Sequence, residues 1–187
     1  MLDIREDLLT VNPYSRKGKK LTDVKAIVLH WVANPMSTAQ GNRNFFEDRK
    51  DGTKSYGSAH YIIDDTEIIN CVPEDEVTWN CGSATYTDMA KEKFGDYYTR
   101  VSSPNFLTIG IELCHNDWSG KFSAKVLGKA KMLCLGLCKK YDLNPLTDIV
   151  THHEVVGWKD CPRWFTENPE LFEKFKMIVN TKLINGE

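Results

Sequence analysis

Residues 150–165, VTHHEVVGWKDCPRWF, bring together several side chains that can do chemistry. Two adjacent histidines, His152 and His153, are followed closely by Lys159 and Cys161. Neutral imidazole and thiolate both bind Zn²⁺, and a catalytic zinc site takes three protein ligands and leaves a fourth position for water. One of the two histidines, together with Cys161, can therefore supply two ligands of a candidate zinc site.

The third ligand must come from elsewhere in the chain, and His30 at the end of the run AIVLHW is the best candidate. Spacing does not prove that these residues meet. A histidine in a buried strand is also consistent with a core residue whose hydrogen bonds are satisfied. Cys161 is equally consistent with a small buried hydrophobe, and the paired histidines with ordinary loop residues. The metal site is therefore a hypothesis about the tertiary structure.

Two further residues would make such a site catalytic. Glu112 interrupts an apolar run, where a carboxylate is costly unless it is paired, lies at a site or points to a solvated face. At a zinc site it can act as a general base for water, while the metal polarises a carbonyl. Lys159 can place an ammonium near a developing oxyanion. These residues together predict a zinc hydrolase that acts on an amide or an ester.

The pattern of apolar residues predicts strands that lead to these side chains. Residues 26–32 and 106–114 are continuous apolar runs, which are typical of buried central strands. Residues 59–64 and 67–72 indicate a hairpin, and IVTHH indicates a short strand before the site loop. Because sites in open α/β sheets gather at strand ends, we expect the candidate residues to lie along one edge.

Helices are expected between these strands. Residues 38–49 predict one helix, and TDMAKEKFG predicts a short helix within the long polar segment 83–105. Residues 123–141 repeat apolar side chains at helical spacing, and TENPELFEKFKMIV predicts a final helix. The order of elements predicts an α/β fold with a mixed central β-sheet flanked by helices.

Composition limits the classes of protein to consider. The apolar fraction of 41% and the charged fraction of 27% are ordinary for a globular protein. We expect one domain over residues 1–187, with residues 1–21 as an irregular lead-in, and a monomer. The net charge of -2 predicts no nucleic-acid partner and no membrane partner. No apolar run approaches the roughly 18 residues of a membrane span.

The cysteines and the first residues indicate the compartment of synthesis. The six cysteines follow no repeating framework, and Cys134 and Cys138 are one helical turn apart, so we expect reduced core thiols. The first twenty residues of the sequence alternate charged and apolar side chains, without the apolar core of a Sec signal. We therefore expect synthesis in the cytoplasm without a Sec signal.

Four segments, IVLHW, SAHYIID, IGIELC and THHEVVGWKDCP, resemble in that order the motifs of zinc-dependent N-acetylmuramoyl-L-alanine amidases. This family, amidase type 2, shares its fold with peptidoglycan recognition proteins and includes phage endolysins and bacterial autolysins. Each motif alone is weak, but the four in order form a specific signal that covers residues 22–180 of the sequence.

The resemblance implies hydrolysis of the amide bond between N-acetylmuramic acid and L-alanine in peptidoglycan. It implies Zn²⁺ as the cofactor, held by His30, His152 and Cys161, with Glu112 and Lys159 as catalytic residues. It also implies action on the bacterial cell wall, which the protein would reach by secretion or by release on lysis.

The expected substrate contacts are His60, Trp79 and Asn80. Ala59 stands where another branch of the family has a tyrosine, just before the strand histidine His60, and this favours Glu112 as the base. WNCG at residues 79–82 replaces the common WHAG, so Asn80 is expected to contact substrate differently. In a structural alternative, His60 orients a neighbour or lines the groove.

The site loop also departs from the family pattern. It is one residue longer than usual between His152 and Cys161, with Trp158 as the extra residue. This leaves the choice between His152 and His153 open. The family's pattern of histidine, any residue and an acidic residue favours His152, because Glu154 follows two positions later.

Two alternatives to an amidase remain open from the sequence. A non-catalytic peptidoglycan-binding module of the same fold typically lacks the cysteine ligand, so Cys161 together with Glu112 and Lys159 argues for an enzyme. A purely structural zinc site would have four protein ligands, with His153 or His115 as the fourth.

Overall fold

Six strands form one sheet in a computed structural model that describes residues 2–95 and 103–186. The strands are β1 Arg5–Glu6, β2 Ala26–Trp31, β3 Tyr61–Ile63, β4 Ile68–Asn70, β5 Thr108–Leu113 and β6 Ile149–Thr151. Their spatial order is β1-β4-β3-β5-β2-β6. The hairpin β3–β4 is antiparallel and every other pair in this sheet is parallel. The predicted mixed central sheet is confirmed.

Seven α-helices connect and flank the strands in the described part of the chain. They are α1 Ala39–Glu47, α2 Asp88–Phe94, α3 Ala124–Tyr141, α4 Pro145–Asp148, α5 His152–Val156, α6 Arg163–Glu167 and α7 Pro169–Ile184. Hydroxyl side chains cap several of them, as N-cap preferences predict. Thr38 accepts from the Gly41 N–H at the start of α1, and Ser123 accepts from the Val126 N–H at the start of α3.

The two faces of the sheet bury different sets of strand residues. Helices α3 and α7 cover one face, where Ile27, Leu29, Ile109 and Ile111 join the largest apolar core. On the other face α1 packs on the β3–β4 hairpin, and α5, paired with α2, packs on β2 and β6. Because strand side chains alternate between faces, the even-numbered residues of β2 and β5 face this second side. His30 and Glu112 belong to that set.

The lead-in is more ordered than expected. Arg5 and Glu6 pair in parallel with β4 at the edge of the sheet, and Leu9 is buried. The sequence pattern did not indicate this strand, because it is only two residues long and both are charged. The long polar segment 83–105 contains the predicted short helix as α2, and its residues 96–102 lie outside the described residues.

All six cysteines are free and buried, as expected for reduced core thiols. Cys134 and Cys138 lie on the buried face of α3 and belong to the apolar core. Within residues 2–95 and 103–186, no helix has both the length and the apolar character needed to cross a bilayer.

Candidate metal centre and active site

Three parallel strands bring the candidate residues to one edge of the sheet. His30 and Glu112 are register partners near the carboxyl ends of the adjacent strands β2 and β5. β6 flanks β2 on its other side and ends at Thr151, so His152 emerges at the same edge. The carboxyl edge of a parallel sheet is where α/β proteins build their sites.

His30, His152 and Cys161 form a buried cluster of metal-binding atoms. His30 Nδ1 lies 3.1 Å from His152 Nδ1 and 3.7 Å from Cys161 Sγ. The three donor atoms all lie within 4.8 Å of one another. The alternatives, a lone core histidine and an isolated buried thiol, do not explain why His30 converges on His152 and Cys161 from more than a hundred residues away in sequence.

The spacing of these donors fits a zinc ion. Tetrahedral geometry, with Zn–N bonds of about 2.05 Å and a Zn–S bond of about 2.3 Å, puts two nitrogens about 3.3 Å apart and nitrogen and sulfur about 3.6 Å apart. The observed separations of 3.1 Å and 3.7 Å are close to both values. Two imidazoles and one thiol also leave a fourth position free, as a catalytic zinc site requires.

The protonation of the cluster suits metal binding. Burial, helped by the positive charge of Lys159, lowers the pKa of His152 to about 3. Burial, with His152 and Lys159, also keeps the pKa of His30 well below its usual value. Both imidazoles are therefore neutral. Burial, reinforced by the Glu112 carboxylate, raises the pKa of the Cys161 thiol to about 12, so metal uptake must release its proton.

The structure separates the two adjacent histidines. His153 Nδ1 lies 2.9 Å from the Lys159 carbonyl oxygen, to which it can donate, and its backbone N–H donates to the Cys161 carbonyl oxygen. His153 thus bridges the two ends of the site loop, and His152 alone of the pair joins the donor cluster. Among the described residues neither His153 nor His115 supplies a fourth ligand.

A capping box determines where His152 points. The Thr151 hydroxyl accepts from the Glu154 N–H, and the Glu154 carboxylate accepts from the Thr151 N–H at 2.7 Å. His152 is therefore the first residue of α5 and not part of the strand that the run IVTHH had predicted. The Thr-x-x-Glu spacing is a known signature of a helix start and was the available signal for this element.

Glu112 and Lys159 both act through their charges on the pKa values of the cluster residues. Glu112 is half-buried, and its Oε2 atom has no hydrogen-bond partner among the described residues. Burial raises the pKa of Glu112 to about 8, although the positive charge of Lys159 opposes the rise. A carboxyl group with such a pKa can both accept and return a proton near neutral pH.

A cavity of about 420 Å³ opens beside the cluster. Its lining residues are Tyr56, Trp79, Asn80, Gly82, Asn105, His152 and Lys159. The rings of Tyr56 and Trp79 meet edge to face with centroids 5.6 Å apart. Tyr56 lies in a loop where the sequence offered no signal of a site. The cavity can hold an extended ligand against an aromatic wall, with a metal ligand and an ammonium beside it.

His60 lies away from this cavity. Its side chain is fully buried, its Nε2 lies 2.8 Å from the Glu76 carbonyl oxygen, and its Nδ1 accepts the Gly110 N–H at 3.0 Å. The expectation that His60 contacts substrate does not fit this position, because both ring nitrogens are occupied by the protein and no surface of the ring is open. The structural alternative describes His60 better.

Fold and site together define the class of this protein: a mixed α/β domain with a two-histidine, one-cysteine centre at the carboxyl edge of its sheet. The profile of the N-acetylmuramoyl-L-alanine amidase family (Amidase_2) matches residues 20–164. The chain therefore belongs to this family, and the resemblance noted from its four motifs is confirmed.

Two curated relatives and one solved structure illustrate the relationship. The N-acetylmuramoyl-L-alanine amidase BlyA of Bacillus subtilis (strain 168) is 33% identical over 175 residues, covering 94% of this chain and 46% of BlyA. A probable N-acetylmuramoyl-L-alanine amidase of Bacillus licheniformis is 30% identical over 185 residues, covering 98% of this chain and 49% of the relative. This chain thus spans about half the length of these relatives.

The solved catalytic domain of XlyA superposes with a TM-score of 0.71 and 25% identity. The match covers 94% of this chain and 99% of that domain. This agreement supports the α/β architecture predicted from the order of strands and helices.

Proposed function

We propose that this chain hydrolyses the amide bond between N-acetylmuramic acid and L-alanine of peptidoglycan, with Zn²⁺ as its cofactor. The observation that supports the proposal is the convergence of His30, His152 and Cys161 beside a cavity that Lys159 lines, with Glu112 as the register partner of His30. A binding module needs neither a three-donor metal centre nor a neighbouring carboxyl group with a buried oxygen that lacks a partner among the described residues.

In this mechanism, His30, His152 and Cys161 hold the metal. A bound Zn²⁺ would supply Lewis-acid polarisation of the scissile carbonyl and activation of water. Glu112 accepts the proton from the attacking water and returns it to the leaving alanine nitrogen. Burial raises the pKa of Glu112 in the metal-free protein, and a bound cation nearby would shift it back toward the carboxylate form that a general base needs.

Lys159 has a different role in the proposal. Its ammonium is exposed and lines the cavity, where it can approach the negative charge that develops on the carbonyl oxygen. In this role Lys159 adds to the stabilisation of the transition state through its positive charge and transfers no proton.

Trp79 and Tyr56 form the wall along which the glycan or the stem peptide would lie. The Trp79 indole N–H is buried and has no acceptor among the described residues, so the contact expected of Trp79 is through the face of its ring. The face of an aromatic ring also packs well against apolar parts of a ligand.

We propose the bacterial cell wall as the place of action. Cytoplasmic synthesis, release by secretion or lysis, and a monomeric state stay predictions.

The direct test is digestion of purified sacculi, with and without a chelator, followed by mass analysis of the released stem peptides. We expect new free amino termini on L-alanine, which the chelator abolishes and added Zn²⁺ restores. Binding to sacculi without release of stem peptides would instead identify a non-catalytic peptidoglycan-binding module.

A further inference from the structure

A chain of hydrogen-bonded polar side chains runs from the donor cluster through the half-buried Asn80 into the interior. His30 Nε2, on the side of the ring opposite the donor atom, lies 3.3 Å from Asn80 Oδ1. Asn80 Nδ2 donates to Thr78 Oγ1 at 2.8 Å. Thr78 Oγ1 lies 3.3 Å from His60 Nδ1, and His60 Nε2 lies 2.8 Å from the Glu76 carbonyl oxygen.

The chain has one consistent direction of donation. The Glu76 carbonyl oxygen can only accept, so His60 carries its proton on Nε2 and accepts on Nδ1. The Thr78 hydroxyl accepts from Asn80 and can donate to His60 Nδ1 at 3.3 Å, where it shares the single Nδ1 lone pair with the Gly110 N–H at 3.0 Å. The amide nitrogen of Asn80 faces Thr78, so its oxygen faces His30. Because an amide oxygen can only accept, His30 must carry its proton on Nε2. The Nδ1 lone pair of His30 is then directed at the metal cluster.

Gly110 makes room for this arrangement. A Cβ atom at Gly110 would lie 2.9 Å from both Cβ and Cγ of Asn80, closer than van der Waals contact permits. The same glycine donates its backbone N–H to His60 Nδ1. Thr78 and His60 are fully buried, so neither link of the chain can exchange its partner for bulk water.

We propose that Asn80 is a positioning residue for the metal ligand His30, held in orientation by Thr78 and the buried His60. The proposal rests on the assignment of His30 as a metal ligand, and it gives Asn80 a role beyond lining the cavity. Metal-bound histidines generally donate their second N–H to a fixed acceptor, which selects the tautomer and the ring orientation. Here the acceptor is a neutral amide.

Zinc affinity tests the proposal directly. Asn80→Ala removes the acceptor, and we expect Zn²⁺ affinity, measured by competition with a chromophoric chelator, to fall about 10- to 100-fold. Asn80→Asp keeps an oxygen facing His30 and should restore affinity close to that of the parent protein. The matched control is Asn44→Ala on the exposed face of α1, which should leave affinity unchanged. A parent-like affinity in Asn80→Ala, or an equal loss in Asn80→Asp, would overturn the proposal.

The tautomer of His30 gives a second measurement, which should not change if Asn80 only stabilises the fold. Long-range ¹H–¹⁵N spectra of the chelator-treated protein should show His30 protonated on Nε2 in the parent and in Asn80→Asp. We expect a mixture of tautomers in Asn80→Ala, and a smaller change in Thr78→Val, which loses only the hydroxyl that orients the amide. An unchanged His30 tautomer in Asn80→Ala would refute the inference.

These measurements need no peptidoglycan. A protein whose zinc affinity depends on Asn80 but which releases no stem peptides would contradict the proposed amidase function and leave this inference intact.

Discussion

Burial of individual side chains accounts for the chemistry expected at this site. The same desolvation that keeps His30 and His152 neutral raises the pKa values of Glu112 and Cys161. Neutral imidazoles are ready ligands, and a carboxyl group with a raised pKa is a useful base. The thiol is the exception, because it must lose a proton that burial retains, so zinc affinity should rise with pH.

Glu112→Gln isolates the proposed base. The amide has nearly the same shape but cannot accept the proton, so stem-peptide release should fall about 100-fold or more. Zinc content should stay the same, because Glu112 is not in the donor cluster. Glu92→Gln, an exposed substitution in α2, serves as the control. Parent-like hydrolysis by Glu112→Gln would show that the base is another residue.

Cys161→Ser tests the third ligand. A hydroxyl is a much poorer zinc ligand than a thiolate, so the zinc content after gel filtration should drop below that of the parent protein. Elemental analysis provides the measurement. Cys138→Ser alters a cysteine of the α3 core and should keep full zinc content. Equal zinc content in Cys161→Ser and the parent protein would exclude Cys161 as a ligand.

At the scale of secondary structure, short strands and one short helix position the candidate metal-binding side chains. β2 and β5 hold His30 and Glu112 in register, whereas the five-residue helix α5 positions His152. An isolated helix of this length is not stable, so its start depends on the cap and on packing against β2 and β6. The long helices α3 and α7 cover the opposite face and contribute stability without reaching the site.

Thr151→Ala should separate the positioning of His152 from general stability. Loss of the cap should cost about 1 kcal/mol of unfolding free energy, and zinc affinity should fall because α5 no longer begins at a fixed residue. Ser123→Ala, which removes the cap of α3, should cost a similar free energy with no change in zinc affinity. Chemical denaturation and chelator competition measure the two effects. Equal zinc affinities in the two variants would contradict this role for the capping box.

At the scale of the whole molecule, the metal would join segments that are distant in sequence. His30 lies 122 residues from His152 and 131 residues from Cys161. Because the unfolded chain rarely brings three such residues together, zinc should bind mainly to the folded state and stabilise it by mass action.

Thermal unfolding can measure this linkage. Free zinc at about a hundredfold excess over Kd should add about 2.7 kcal/mol, which corresponds to a rise of roughly 5–10 °C in Tm for a chain of this length. A chelator should remove this increment from the parent protein and have little effect on Cys161→Ser. A parent Tm that does not respond to the chelator would argue against a metal that stabilises the fold.

Much of the architecture could be predicted from the sequence, because the spacing of apolar residues within a segment indicates whether that segment is a strand or a helix. The apolar runs around His30 and Glu112 predicted central strands, and both proved to be adjacent and parallel. The two-residue edge strand β1 escaped prediction, since two charged residues carry no periodic signal. α5 escaped because its capping signature lies within a run that also reads as a strand.

The sequence by itself determined the inventory of donor and acid–base residues, the α/β class and the order of motifs that marks the family. Only the tertiary structure decided that His152 and not His153 joins His30 and Cys161. It also decided that His60 is fully buried and that Asn80 faces Nε2 of His30, the ring nitrogen opposite the donor atom. The physical reason is that residue type is a property of one position. The direction of a side chain, in contrast, depends on caps, packing and partners contributed by remote parts of the chain.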